Sequence, residues 1–94
     1  MRSETSILLL YAKVADDPRV NVWQMSLYIF ILTLWQKSGY QQQLKVSRKQ
    51  LMTGARFRSI TTYHKCISHL NDLKYISYQP TYDSYEGSTI QVLS

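Results

Sequence analysis

Residues 47–76 read SRKQLMTGARFRSITTYHKCISHLNDLKYI. Two serines divide this stretch. Ser47 opens Ser47-Arg48-Lys49-Gln50, a capping box, and Leu51 and Met52 follow as the inward residues of a short helix. Gly54 is expected to stop that helix, residues 55–58 to form a turn, and Ser59 to cap a longer helix. In the longer helix Ile60, Tyr63, Ile67, Leu70 and Leu73 recur at helical spacing, which predicts one apolar stripe. After Leu73 the period falls to two. Ile76 and Tyr78 alternate with Ser77 and Gln79, and Ile90 and Val92 alternate with Thr89 and Gln91. Pro80 to Gly87, with Asp83 and Gly87 as turn formers, joins these runs into a hairpin over residues 75–93.

Upstream, residues 40–45 are polar and read as a linker, with a short strand at Leu44-Lys45-Val46. Asn21 with Gln24 is a variant capping box, so a helix should run from there to about Lys37, with Gly39 as terminator. Eleven of the fourteen residues from Val22 to Trp35 are apolar or aromatic, so this helix needs cover on several sides. In so small a chain one of its faces is expected to meet a second subunit, giving a homodimer, the alternative being that the first helix wraps it completely within one chain. A first helix is predicted from Glu4 to Ala15, begun by Ser3 with Ser6 behind it and ended by Asp16-Asp17-Pro18. Ile7, Leu8, Leu10, Tyr11 and Val14 should form its apolar face.

Ninety-four residues suit one small domain, with residues 1–38 as core and dimerisation helices, 46–73 as the helix-turn-helix and 75–93 as the hairpin. The fold class expected is mainly α with a small β-hairpin (α+β). The charge of +5 is unevenly placed. Lys45, Arg48, Lys49, Arg56, Arg58, Lys65 and Lys74 face one acidic residue, Asp72, within 45–74, so that segment carries +6 and the remainder −1. Such a balance points to an anionic partner, nucleic acid before membrane surface or acidic protein. Cys66 is the single cysteine, which excludes an internal disulfide and fits a reducing cytoplasm. The apolar run from Ile7 to Ala12 is short, is interrupted by Lys13 and follows Glu4, which argues against a signal peptide. The most apolar run, Leu27 to Trp35, has nine residues where a bilayer span needs about 20, so no membrane partner is expected.

A basic helix-turn-helix followed by a hairpin is the footprint of a winged helix-turn-helix that binds double-stranded DNA. The helix capped by Ser59 is the expected reader of the major groove. Ser59, Thr61, Thr62 and Lys65 near its start are small or basic, and Thr methyls suit thymine methyls. His64 and His69 flank that surface, where they could donate to bases or phosphates, and His69 is counted among the expected DNA contacts. Arg56 and Arg58 in the turn should reach phosphates, and Arg48 and Lys49 should meet the backbone of the other strand. The hairpin tip, Tyr82-Asp83-Ser84-Tyr85-Glu86, has no basic residue, which argues against direct contacts from the wing.

Cys66 and His69 share a helical face, but a zinc site needs three or four ligands and no second pair exists, so no metal and no cofactor are expected. No carboxylate is placed to orient an imidazole for nucleophilic catalysis, so the chain is not expected to be an enzyme. The competing class is a protein-interaction module that docks a partner on the apolar second helix and the tyrosine-rich hairpin without binding DNA.

The stretch quoted above, with the hairpin YQPTYDSYEGS and the segment NVWQMSLYIFILTLWQKSGY, resembles the small winged-helix DNA-binding proteins of bacterial mobile elements and phages. The resemblance covers most of the chain. It implies roles in transcriptional regulation, excision or replication control, and it matches Ser59, Thr61, Thr62 and Lys65 to recognition-helix contacts. Two departures stand out: Lys74 occupies the place of a C-terminal glycine, and the wing carries no basic residue.

Overall fold

The computed structural model describes residues 4–79 and 87–93. In chain order the elements are α1 (Glu4–Ala15), α2 (Val22–Lys37), β1 (Leu44–Val46), α3 (Arg48–Gly54), α4 (Ile60–Asp72), β2 (Ile76–Gln79) and β3 (Ser88–Val92). The three strands form one antiparallel sheet in the order β1-β3-β2. Leu44 pairs with Ile90 on one side of β3, and Tyr78 pairs with the same Ile90 on the other. The product is an α+β domain of four helices and a small sheet, an order compatible with a winged helix-turn-helix. The expected cap at Ser3 and the hairpin tip over 80–86 lie outside the described residues.

Each of the other three helix starts is built from a side chain that satisfies an early backbone donor. The Asn21 carboxamide accepts from Gln24 N–H at 2.9 Å, and the Gln24 carboxamide returns the bond from Asn21 N–H at 3.1 Å, completing the box at α2. Ser47 Oγ accepts from Gln50 N–H at 3.0 Å, and Ser59 Oγ accepts from Thr62 N–H at 3.2 Å. At Ser47 only that arm of the expected box is formed.

Three helices end in the same device. Gly39, Arg56 and Lys74 follow α2, α3 and α4 in the left-handed region, at φ 81°, 66° and 68°. In each, the next residue's N–H donates back five residues: Tyr40 to Trp35, Phe57 to Met52, and Tyr75 to Leu70. These are Schellman closures, which normally favour glycine because a Cβ crowds the left-handed backbone. The ring of Tyr40 returns against Trp35 at 5.0 Å, the apolar contact that accompanies such a closure. Gly54 therefore does not stop α3 through its own backbone. It is the last helical residue, and a Cβ there would run into the Phe30 ring of α2.

The core gathers Leu10 and Val14 of α1, Leu27, Tyr28, Ile31, Leu32 and Trp35 of α2, Tyr63, Ile67 and Leu70 of α4, and Ile76 and Ile90 of the sheet. Burying one such side chain is worth about 1.5–3 kcal/mol. Of the eleven apolar residues in α2, five are buried and Met25, Phe30 and Leu34 pack against the core, so a single chain covers most of the helix. Val22, Trp23 and Ile29 remain exposed. Two expected stripes shift. Leu8 of α1 is 67% exposed and turns away from the face formed by Ile7, Leu10, Tyr11 and Val14. Ile60 of α4 is 48% exposed, and Cys66 joins Tyr63, Ile67 and Leu70 in the buried stripe instead. Among the described residues no helix is long and apolar enough to cross a membrane.

Candidate nucleic-acid interface

The buried stripe of α4 sets what its other side offers. Opposite Tyr63, Cys66, Ile67 and Leu70 lie Thr61, Lys65 and Ser68, all exposed and spaced four and three residues apart along one face. His64 is exposed beside them, its ring edge-on to Tyr63 at 5.2 Å. Asp72 falls on the same face at the far end of the helix and is also exposed. A carboxylate there repels phosphate, so the first two turns form the part of the face suited to an anion.

Thr62 occupies a different flank from Thr61. It is half-buried and lines an open hollow of about 440 Å³ together with Trp23, Arg56, Phe57, Arg58 and Ser59. His69, seven residues on, shares that flank and meets the loop that leads into α2. Its Nε2 lies 2.9 Å from the Arg19 carbonyl, an oxygen that only accepts, so this nitrogen carries the proton. The ring of His69 is thus committed to the α1–α2 loop rather than standing beside Lys65.

Arg48 and Lys49 are exposed in the first turn of α3, and Arg56 and Arg58 are exposed on either side of the buried Phe57. Among the described residues, Arg48, Lys49, Arg56, Arg58 and Lys65 take part in no ion pair. The ion pair seen, Arg19 with Asp17 at 2.7 Å, lies outside the helix-turn-helix. The basic side chains expected to contact DNA are therefore brought to the turn and helix starts with their charge unspent, and His69 is set apart from them.

Several side chains that shape this surface carry no charge and were not singled out by the sequence pattern. Phe57 is the hub: its ring meets Trp23 at 5.9 Å and Tyr63 at 6.3 Å, both edge-on. Ser26 Oγ donates to the Ala55 carbonyl at 3.1 Å, tying α2 to the turn. Trp23 was submerged in a helix that is apolar nearly all round, where periodicity cannot separate an exposed ring from a buried one. Burial raises the Tyr63 hydroxyl above its ordinary range, with the neighbouring Tyr78 adding to the shift. Burial also pushes the Cys66 thiol up, so it is a neutral packing group. Among the described residues, no group of three or more His, Cys, Asp or Glu side chains could hold a metal ion. No family model, no curated protein and no solved structure matches this chain.

Proposed function

We propose that this chain binds double-stranded DNA sequence-specifically, with the first two turns of α4 in the major groove, and acts in transcriptional regulation or mobile-element control. The observation that carries the reading is the set of five exposed cations, free of ion pairs among the described residues: Arg48 and Lys49 in the first turn of α3, Arg56 and Arg58 in the turn after it, and Lys65 in the second turn of α4. Thr61 and Lys65 would face base edges, and Arg48, Lys49, Arg56 and Arg58 would hold phosphates. The setting is the reducing cytoplasm, where a lone buried thiol such as Cys66 stays free.

We further propose a homodimer in which a second copy covers apolar side chains that one chain leaves in water, among them Leu8, Leu9 and Ile29. The same exposed residues favour a second reading, a protein-docking module that binds no DNA. Fluorescence anisotropy with a pool of random duplexes separates the two. Neutralising about five phosphates gives a slope of log K against log salt of roughly −4 to −5. Absence of binding to every duplex at low salt would overturn the DNA reading. Sedimentation at 11.1 kDa at high concentration would overturn the dimer.

A further inference from the structure

We propose that the hollow between α2 and the α3–α4 turn holds one deoxyribose-phosphate unit of the bound strand, with the Trp23 indole against the sugar and Arg56 and Arg58 on the phosphate. This inference rests on the DNA reading and extends the interface to a residue outside the helix-turn-helix.

Three observations carry it. The first is the lining. Trp23, Arg56, Phe57, Arg58, Ser59 and Thr62 include two guanidiniums and no carboxylate. Ser59 Oγ already accepts from Thr62 N–H, which leaves a wall richer in donors than acceptors. Donor-rich walls with a charge of +2 select an anion. The volume of about 440 Å³ lies within the range of sites that hold small molecules, and here the site is open, as a passing strand requires.

The second is the exposed ring. Trp23 is 53% exposed, although an indole in water forgoes much of its burial energy. It is not loose. Trp23 stands edge-on to Phe57 at 5.9 Å and an interplanar angle of 66°, and Phe57 stands edge-on to Tyr63 at 6.3 Å and 87°. An aromatic row therefore links α2 to the second turn of α4. Phe57 braces the Trp23 ring on one side, which reduces the entropy lost when a ligand covers it.

The third is the backbone at Arg56. Its φ of 66° places a large side chain in a region that crowds a Cβ. Phe57, drawn into the core, and the bond from Phe57 N–H to the Met52 carbonyl at 2.7 Å hold that conformation. The consequence is that Arg56 and Arg58 both line the hollow, on either side of the inward Phe57. What a side chain meets on the outside of a duplex is the sugar edge and the phosphate, since the bases are stacked inside. A ring beside two guanidiniums matches that pair.

The contact would position the duplex without reading its sequence. Acrylamide quenching tests it in the unmodified protein, because Trp23 is exposed and Trp35 is 4% exposed. Saturating duplex should reduce the quenching at least about twofold. Trp23→Ala should weaken every duplex alike, by roughly three- to tenfold, with the salt slope unchanged. Arg58→Gln should lower that slope by about one. If duplex binds by anisotropy while quenching and the Trp23→Ala affinity stay at their original values, the inference fails and the DNA reading stands. If no duplex binds, both fail. If a deoxymononucleotide alone shields Trp23 as strongly as duplex, the hollow is a small-molecule site and the strand assignment is overturned.

Discussion

The Tyr75 hydroxyl donates to the Asp17 carboxylate at 2.6 Å, joining the loop after α1 to the residue that leads into β2 across 58 positions of the chain. Asp17 also accepts from Arg19 Nε at 2.9 Å and from a terminal guanidinium nitrogen at 2.7 Å. Its side chain is 6% exposed. The Tyr75 ring in turn lies 5.9 Å from Tyr28 of α2, and His69 reaches the Arg19 carbonyl. The α1–α2 loop is thereby strapped to the end of the helix proposed to read DNA.

That strap has a pH signature. The Arg19 guanidinium, and then the Tyr75 hydroxyl, hold the Asp17 carboxyl well below the usual carboxylate range. A depressed carboxyl stabilises the fold above the unfolded value of about 4, and that contribution is lost as pH falls toward the folded value. The chain should therefore lose stability on acidification below about pH 4. Asp17→Asn should be less stable at neutral pH and show a flatter acid limb, as read by urea unfolding from pH 2 to 7. An unchanged acid limb in Asp17→Asn would remove the role assigned to the strap.

Gly54 and Arg56 exchange the parts usually given to glycine and a side-chain residue. Gly54→Ala should cost about 1–3 kcal/mol, because the new Cβ drives into the Phe30 ring. Shortening Phe30 to Leu in the same chain should recover part of that loss. Arg56→Gly should leave stability level or raise it by up to about 1 kcal/mol, since glycine adopts positive φ without strain. Duplex affinity should nevertheless fall in Arg56→Gly. Parallel urea and anisotropy measurements would show stability and binding moving in opposite directions.

Tyr28 is a buried ring whose hydroxyl has no hydrogen-bond partner among the described residues. A stranded hydroxyl costs about 1–3 kcal/mol, so Tyr28→Phe should stabilise the chain by about 1 kcal/mol rather than weaken it. Burial pushes this hydroxyl up to about 12. Burial excludes the ionised form, so unfolding is favoured once the unfolded chain can ionise this group, and the fold loses stability as pH climbs from about 10 toward 12. Tyr28→Phe should therefore show less loss of stability between pH 10 and 12. The remaining slope belongs partly to Tyr63, whose hydroxyl is raised as well.

What was legible in the residues was local chemistry. Asn21, Ser47 and Ser59 each satisfy donors within three residues, so their helix starts can be read without the rest of the chain. The helix ends were read less well because Arg56 and Lys74 take left-handed positions where glycine is the usual signal. Gly54, two residues before Arg56, carries the glycine signal without the left-handed backbone. Burial of individual stripe residues failed where tertiary packing decides. Ile60 in the first turn of α4 and Leu8 on the outer side of α1 both stay exposed. The hollow beside Trp23 and the bond from Tyr75 to Asp17 depend on elements far apart in sequence. No spacing rule reaches them.

The outer face of α4 makes the most direct demand of the functional proposal. Thr61 and Lys65 share a face and would see bases, while Arg48, at the start of α3, would see phosphate. Lys65→Ala or Thr61→Ala should cost about 1–3 kcal/mol on the preferred site and much less on other duplexes, relaxing specificity. Arg48→Ala should weaken all duplexes by the same factor and lower the salt slope by about one. Asp72 supplies the opposing control. It stands on the same face two turns beyond Lys65, so Asp72→Asn should strengthen binding to every duplex by removing a negative charge from the face proposed to approach the polyanion. Titrations of these four variants against preferred and random duplexes at two salt concentrations would check all of this. If Lys65→Ala and Arg48→Ala proved indistinguishable across sequences, α4 would not be the element that reads the bases.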